Sequence, residues 1–215
     1  VYPKGHGRGG IVYKRSTDGG LTWSERLPTP ENWLTSREVP TLHRVTDAKG
    51  TKRIIMWSGL YPARLAVSED EGETWGPLEQ AGDWGGIVVM GCDFGVRGKP
   101  GHYVAMFHDD GRFFSEGSKQ KKPVVFTLYQ TRSTDGGLTW GAPETIFARS
   151  DVQLCEPGIV RSPDGGTLAA LMRENSRRRN SYVIFSKDEG TTWSDPREVP
   201  AALTGDRHTA VYAPD

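Results

Sequence analysis

The chain has 215 residues, with 27 basic and 27 acidic side chains and therefore no formal net charge. This balance argues against a dedicated nucleic-acid-binding protein, which normally carries a basic excess. No apolar run approaches the roughly 20 residues of a membrane-spanning helix, and the two cysteines are too few for a four-ligand zinc site or a disulfide framework.

The motif S-x-D-x-G-x-T-W occurs four times along the chain. Successive copies start 52, 65 and 53 residues apart, and each follows a strand-like run such as residues 11–15 or 128–132. The copies span residues 16–23, 68–75, 133–140 and 186–193. The Asp can accept hydrogen bonds from nearby backbone N–H groups and the Gly supplies a positive φ, so each copy is predicted to form a hairpin turn. The motif Asp side chains are expected to stabilise these turns rather than to catalyse a reaction.

A second repeated sequence precedes the strand-like residues of each motif, and it is called the opening phrase. It begins at Glu38 and at Glu156, and it starts a third time at Arg207. Each copy is predicted to be a short apolar strand that leads into an Asp/Gly turn and a further strand, and Asp93 is a looser equivalent in a less regular unit. The spacing has room for about four short strands per unit, and no stretch has a helical period. The repeats therefore predict an all-β fold, a β-propeller of four-stranded blades with the motif at their turns.

The repeated motifs resemble the Asp boxes of the sialidase-like (BNR repeat) propeller proteins, and the resemblance covers nearly the whole chain. It implies a single propeller domain over residues 1–215, with about four blades of a ring of about six. The domain is then expected to be incomplete at both ends, with one family arginine before Val1 and the tyrosine nucleophile in later blades. Asp boxes also occur in other glycosidases and in binding propellers, so they mark a fold more strongly than a function.

The innermost strand of each propeller blade starts near the central axis, where side chains of different blades converge. The repeats place Glu38, Glu156 and Arg207 at equivalent start positions, with Asp206 and His208 beside Arg207. Acids and bases at one end of a ring are what glycosidic chemistry needs, although the same residues could instead pair with one another. The candidate catalytic residues are Glu156, Asp206, His208 and Glu38.

The phrase from Glu156-Pro157 to Arg173 is similar to the Glu-Pro…Arg phrase of sialidases. This resemblance implies that Glu156 activates a tyrosine nucleophile, an exception to the usual carboxylate pair of glycosidases. It also implies that Arg173 grips the carboxylate of the substrate, for which the guanidinium fork is suited. Arg177 follows on a loop at the same end and is a further candidate substrate contact.

The general-acid Asp of the family has no counterpart before the first box, because residues 2–10 contain no carboxylate. His6 lies in this stretch and is a possible proton-transfer group. If the carboxylate has been replaced, Asp206, Asp93 or Glu38 is the expected substitute. Arg207 and Asp93 are also candidate substrate-binding residues.

A polar run follows the predicted strand at residues 103–107. Asp110-Gly111 is a turn signal, which leaves His108 and Asp109 free to face the site as candidate substrate-binding residues. Trp84 is flanked by Asp and two Gly and is expected to lie on a loop as a platform for a sugar ring.

These observations predict a sialidase-like exo-glycosidase that removes a terminal acidic sugar from a glycan or glycoconjugate, without a metal or another cofactor. One alternative is a non-catalytic Asp-box propeller that binds glycans or proteins. Another is a propeller glycosidase or lyase that uses His208 or His108 as its acid/base. No nucleic-acid partner or membrane span is expected, and the resemblance implies a secreted or periplasmic protein. The sugar, its linkage and the oligomeric state are left open by the sequence.

Overall fold

The computed structural model describes residues 9–212, in which the regular structure is β apart from two short 3-10 helices, Glu31–Thr35 and Ala201–Leu203. Twelve strands form three four-stranded antiparallel sheets, each with its strands in chain order. The first sheet contains β1 (Thr41–Thr46), β2 (Lys52–Ser58), β3 (Arg64–Ser68) and β4 (Glu79–Gln80). The second contains β5 (Ile87–Gly95), β6 (Tyr103–Asp109), β7 (Phe126–Ser133) and β8 (Glu144–Arg149). The third contains β9 (Leu154–Arg161), β10 (Leu168–Glu174), β11 (Tyr182–Ser186) and β12 (Arg197–Glu198). The prediction of an all-β fold built from four-stranded units is confirmed.

The repeated motif forms the turn between the third and fourth strands of each sheet. In the copy at residues 133–140, Ser133 Oγ donates to Asp135 Oδ1 at 2.8 Å. The backbone N–H of Thr139 donates to the same oxygen at 3.0 Å, and Thr139 Oγ1 donates to Asp135 Oδ2 at 2.6 Å. The equivalent bonds recur in the other three copies. The motif Asp side chains are therefore turn-forming groups, as the sequence predicted.

The three sheets stack face to face in chain order, with the core between them. Buried between the first and second sheets are Val45, Ile55, Trp57, Val89 and Phe107. Buried between the second and third sheets are Met106, Leu128, Leu154, Ala170 and Met172. Successive residues of a strand point to opposite faces, so neighbouring residues of β6 pack against different sheets. The second sheet is thus covered on both faces.

The first repeat unit differs from its prediction. Residues 11–15 form no strand, and the backbone pairing of this region is an isolated bridge between Gly9 and Ser36. Its tryptophan, Trp23, is 60% exposed, whereas Trp33 is fully buried against the first sheet. Residues 11–15 make separate backbone hydrogen bonds, such as those from the Leu27 N–H to the Tyr13 carbonyl and from the Ile11 N–H to the Trp33 carbonyl. A strand requires a continuous ladder with a neighbouring strand, and the described residues form none here. Residues 9–212 therefore contain three four-stranded sheets where the sequence predicted about four blades.

The third copy of the opening phrase also forms no strand over residues 207–212, and the remainder of that phrase lies outside the described residues. The predicted candidate His6 lies outside them too. Within residues 9–212, no helix is long and apolar enough to cross a membrane.

The expectation that Trp84 is an exposed platform is wrong. Its side chain is 4% exposed and stacks on Phe107 with ring centroids 5.3 Å apart. The flanking glycines serve close packing, because a Cβ atom on either Gly85 or Gly86 would come within 2.5 Å of neighbouring atoms. The indole of Trp84 is a core group between the first and second sheets.

Candidate functional site

The candidate site lies at the start of the third sheet, where β9 departs from regular pairing with β10. Cys155 lies opposite Arg173 and Gly158 lies opposite Leu171, so β9 has one more residue than β10 between these two pairs. This is a β-bulge, which re-aims a side chain at the edge of a sheet. Glu156 lies in the bulge with a φ of 51°, in the left-handed region that residues other than Gly rarely adopt. Such conformations are concentrated at functional sites, where the surroundings hold them in place.

Glu156 and Arg173 contact each other across this hairpin. Nη2 of Arg173 lies 3.1 Å from Oε1 of Glu156 and donates to Oδ1 of Asn175 at 3.0 Å. Nε of Arg173 donates to Sγ of Cys155 at 3.2 Å. The side chains of Arg173 and Glu156 are 19% and 16% exposed. Within the described residues, Arg173 Nη1 and Glu156 Oε2 have no bonding partner, so the pair offers one unused donor and one unused acceptor.

The surroundings keep Arg173 charged and Cys155 neutral. Burial alone would lower the pKa of Arg173, but the hydrogen bond to Cys155 and the charges of Glu156 and Asp206 outweigh it, so the pKa is raised. Burial raises the pKa of the Cys155 thiol to about 11. A thiol with this pKa is protonated at neutral pH. Cys155 is therefore a packing and hydrogen-bonding group rather than a nucleophile.

A second ion pair joins Arg177, on the loop after β10, to Asp206, on the segment after β12. Both side chains are exposed. The hydrogen bond and the charge of Arg177 lower the pKa of Asp206, and the charge of Arg173 lowers it further. Arg177 therefore favours the charged form of the Asp206 carboxylate, and the catalytic role of Asp206 stays a prediction. The structure thus brings four candidate residues into one neighbourhood: Glu156, Arg173, Arg177 and Asp206.

Arg207 and His208 lie on the segment that packs against β9. A Cβ atom on Gly158 would lie 2.0 Å from the carbonyl oxygen of His208, so the two backbones are in direct contact. Burial lowers the pKa of His208, and its buried Nε2 has no hydrogen-bond partner in the described part of the chain. Burial raises the pKa of the Cys92 thiol, and Arg207 is close enough for its charge to oppose that rise. The catalytic role of His208 and the substrate-binding role of Arg207 stay predictions.

Asp93 is paired with a histidine that the sequence did not single out. Nδ1 of His43 on β1 lies 2.9 Å from Oδ1 of Asp93 on β5, so the contact joins the first and second sheets. The other polar atoms of the pair, His43 Nε2 and Asp93 Oδ2, are buried without a hydrogen-bond partner among the residues that the structure describes. The substrate-binding role of Asp93 stays a prediction. His43 could not have been found from the repeat, because the pairing depends on how two sheets pack.

Glu38 is buried just before β1, at the equivalent position of the first sheet. Its Oε1 accepts the backbone N–H of Val39 at 2.8 Å. A Cβ atom on Gly59 would lie 3.2 Å from Cβ of Glu38 and 3.1 Å from the backbone nitrogen of Val89. Glu38 therefore lies where the first and second sheets meet, and its catalytic role stays a prediction.

His108 and Asp109 do not have the open orientation that the sequence predicted. They are 2% and 1% exposed. His108 stacks on Phe126, and its Nδ1 accepts the backbone N–H of Glu156 at 3.2 Å. Asp109 accepts the N–H of Gly111 at 2.7 Å, and burial raises its pKa to about 6. An Asx-type turn holds the carboxylate of Asp109, and His108 holds the backbone of Glu156. The substrate-binding role of both residues stays a prediction.

The fold places the chain in the class of Asp-box repeat proteins, because each of its four-stranded sheets has the same turn between its third and fourth strands. Residues 51–211 match the family described as a BNR repeat-like domain, and residues 14–25 match the BNR/Asp-box repeat. The chain belongs to this sialidase-like BNR family.

The chain is similar to one curated protein and to several solved structures. A sialidase of Micromonospora viridifaciens is 29% identical over 203 residues, which cover 83% of this chain and 28% of that protein. The chain therefore spans little more than a quarter of the length of this curated relative. A protein of unknown function from Dyadobacter fermentans superposes with a TM-score of 0.59 at 16% identity, covering 87% of this chain and 57% of that one. A Hadza microbial sialidase, Hz136, gives a TM-score of 0.45 at 21% identity, over 73% of this chain and 36% of that one.

Proposed function

We propose that the chain is a sialidase-like exo-glycosidase domain that hydrolyses the bond to a terminal acidic sugar of a glycan. In this proposal its three sheets are blades of a single β-propeller domain over residues 1–215, in a ring of about six blades. Membership of the sialidase-like BNR family supports the glycosidase-type fold. The proposal adds two points to family membership, namely the class of sugar and the hydrolysis of its bond.

The contact between Glu156 and Arg173 is the observation that carries the proposal. The sequence singled out these residues from a Glu-Pro…Arg phrase, and the bulge of β9 places them 3.1 Å apart at the end of the third sheet. Here Arg173 Nη1 and Glu156 Oε2 have no partner among residues 9–212, so both can engage a ligand.

The two side chains have different tasks in the proposed reaction. The planar guanidinium of Arg173 binds the substrate carboxylate, and its positive charge is secured by Glu156 and Asp206. Glu156 Oε2 accepts the proton of the hydroxyl nucleophile as that nucleophile attacks the anomeric carbon. The N–H of Glu156 is held by His108, which keeps the carboxylate on the strained backbone of the bulge. Neither task requires a metal ion.

The remaining candidates have supporting tasks. Arg177 and Asp206 present opposite charges at the rim, where they would contact polar groups of the sugar. Burial favours neutral His208, whose buried Nε2 has no hydrogen-bond partner among the described residues. The leaving oxygen still needs a proton donor, and His208 or Glu38 is the candidate in this proposal.

The test is a panel of aryl glycosides with a fluorogenic leaving group, in which an aryl sialoside stands beside neutral aryl glycosides. The substitution Arg173→Lys keeps the charge but removes the fork, so kcat/KM for the sialoside is expected to fall about 10-fold or more. If the unaltered protein and Arg173→Lys hydrolyse neutral glycosides at equal rates, the proposed specificity for an acidic sugar is wrong and a specificity for a neutral sugar takes its place. Silence across the whole panel from a folded protein with a complete ring would favour the non-catalytic binding propeller.

A further inference from the structure

A cleft of about 320 Å³ lies beside the first sheet, away from the Glu156–Arg173 pair. One wall is the segment before β1, which contributes Leu34, Thr35 and Arg37, and the other is the β2–β3 connection with Tyr61. Arg64, the first residue of β3, closes the cleft. Two arginines thus line a concave surface that the glycosidase proposal does not use.

Arg64 is held in a defined position by the opposite wall. Its Nη1 donates to Oγ1 of Thr35 at 2.7 Å, and its Nη2 donates to the carbonyl oxygen of Thr35 at 2.8 Å. The guanidinium is partly buried, and both this burial and the charge of Arg37 lower its pKa. A cation in such a place loses hydration without gaining a negative partner, which is an unfavourable arrangement unless an anion binds there.

Arg37 is exposed and also lacks a carboxylate partner among the described residues. Its bond within the described residues is a weak one, from Nη1 to the carbonyl oxygen of Tyr61 at 3.3 Å. Neither Arg37 nor Arg64 forms an ion pair with any carboxylate between residues 9 and 212. The carboxylate of Asp83 accepts the Tyr61 hydroxyl at 2.5 Å and does not line the cleft.

Two other arginines of the chain have the carboxylate partners that Arg37 and Arg64 lack. Arg53 contacts Asp47 at 3.0 Å and Glu69 at 2.8 Å, and Arg161 forms two bonds of 2.6 and 2.7 Å to Glu189. The guanidinium groups of Arg37 and Arg64 instead use neutral oxygens as their acceptors. Several of their N–H groups, including both Nε atoms, have no acceptor within the described range.

We infer that this cleft is a binding site for an oxyanion, in which Arg37 and Arg64 together contact a carboxylate, sulfate or phosphate group of a ligand. The planar guanidinium fork matches the oxygen spacing of such a group, and two forks on opposite walls can share it. The volume of about 320 Å³ admits the anionic group and a small part of its carrier. Leu34 and Pro62 add an apolar border that limits access of water.

The test is a titration of the whole chain with sodium sulfate, sodium phosphate and sodium acetate, followed by the arginine Nε–Hε signals in ¹H–¹⁵N NMR spectra. We expect the signals of Arg37 and Arg64 to shift saturably, with dissociation constants in the millimolar range typical of a small ligand. The anion that binds most tightly identifies the group. The substitution Arg37→Gln is expected to weaken binding about 10-fold, which corresponds to the loss of one charge-assisted contact.

Two further variants make the result decisive. Arg26→Gln removes the same charge from an exposed residue outside the cleft, so its affinity should equal that of the unaltered protein. Arg64→Lys retains the charge and should keep the fold while it weakens binding, because lysine lacks the fork. Equal shifts in all proteins would indicate a general salt effect and overturn the inference. The absence of saturable shifts at Arg37 and Arg64 with all three anions would overturn it as well.

Discussion

The sequence S-T-D-G-G-L-T-W occurs in identical form at residues 16–23 and 133–140, and the two copies allow one motif to be compared in two environments. Both tryptophans donate their indole N–H to a glycine carbonyl three residues earlier, at 3.1 Å for Trp23 and 2.9 Å for Trp140. They differ in burial, because Trp23 is 60% exposed and Trp140 is 7% exposed. Trp140 also packs edge-on against Trp57 with ring centroids 5.3 Å apart. Because the eight residues are identical, effects of the local sequence on stability cancel when Trp23 and Trp140 are compared.

The substitution Trp140→Ala should lower the free energy of unfolding by about 3–5 kcal/mol, the usual range for a large aromatic side chain deleted from a core. Trp23→Ala should lower it by less than about 1 kcal/mol, because most of the indole surface is already in contact with water. The predicted difference between the two variants is thus about 2–5 kcal/mol. It arises from packing between the first and second sheets rather than from the turn itself.

Urea unfolding followed by far-UV circular dichroism measures both values, since each variant lacks a tryptophan and fluorescence would not be comparable. Trp140→Phe keeps part of the packing and should give an intermediate value if the alanine variant does not accumulate in folded form. Equal losses for Trp23→Ala and Trp140→Ala would refute the reasoning, because the two copies would then contribute through the turn alone. If Trp23→Ala lowered the free energy of unfolding more than Trp140→Ala, this result would contradict the packing of Trp140 between the first and second sheets.

Two further predictions concern the surroundings of the site. Gly158→Ala should destabilise the protein by about 1–3 kcal/mol because its Cβ would lie 2.0 Å from the His208 carbonyl oxygen. Gly141→Ala, whose Cβ would lie 3.6 Å from its nearest neighbour, is the matched control, and equal thermal stability of the two would argue against this contact. The pKa of Asp109 is raised to about 6 by burial, so between pH 4 and 6 its folded form holds a proton that the unfolded form lacks. The free energy of unfolding should therefore fall by about 3 kcal/mol from this group as the pH rises through that window. Chemical denaturation at several pH values should show this component lost in Asp109→Asn, and an unchanged pH dependence would contradict it.

The turns and most strands were predictable because their determinants are local. The Asp of each box bonds to a Ser two residues before it and a Thr four residues after it, so a pattern in eight residues contains the whole interaction. The pairing of Glu156 with Arg173 was accessible for a related reason. These residues lie on adjacent strands of one hairpin, so their order in the phrase already implies proximity. The predicted strand at residues 11–15 failed because its apolar pattern says nothing about whether a neighbouring strand is present.

Contacts between sheets could not be predicted in this way. His43 meets Asp93 across 50 residues of chain, and the burial of Trp84 depends on Phe107 in another sheet. His108 accepts the N–H of Glu156 from the next sheet, and no feature of the sequence indicated this bond. In each case the partner is determined by the stacking of separate units, which leaves no fixed spacing in the sequence.

The central claim, that Glu156 is the base of a glycosidase site, is tested most directly by kcat/KM for an aryl sialoside with unaltered protein and with Glu156→Gln. The account predicts measurable turnover that falls about 100-fold or more in the variant, because the amide cannot accept the nucleophile's proton. Glu79→Gln makes the same chemical change at an exposed residue of β4 and should retain full activity. Undiminished turnover in Glu156→Gln, or no turnover by folded unaltered protein that contains a complete propeller ring, would contradict the account.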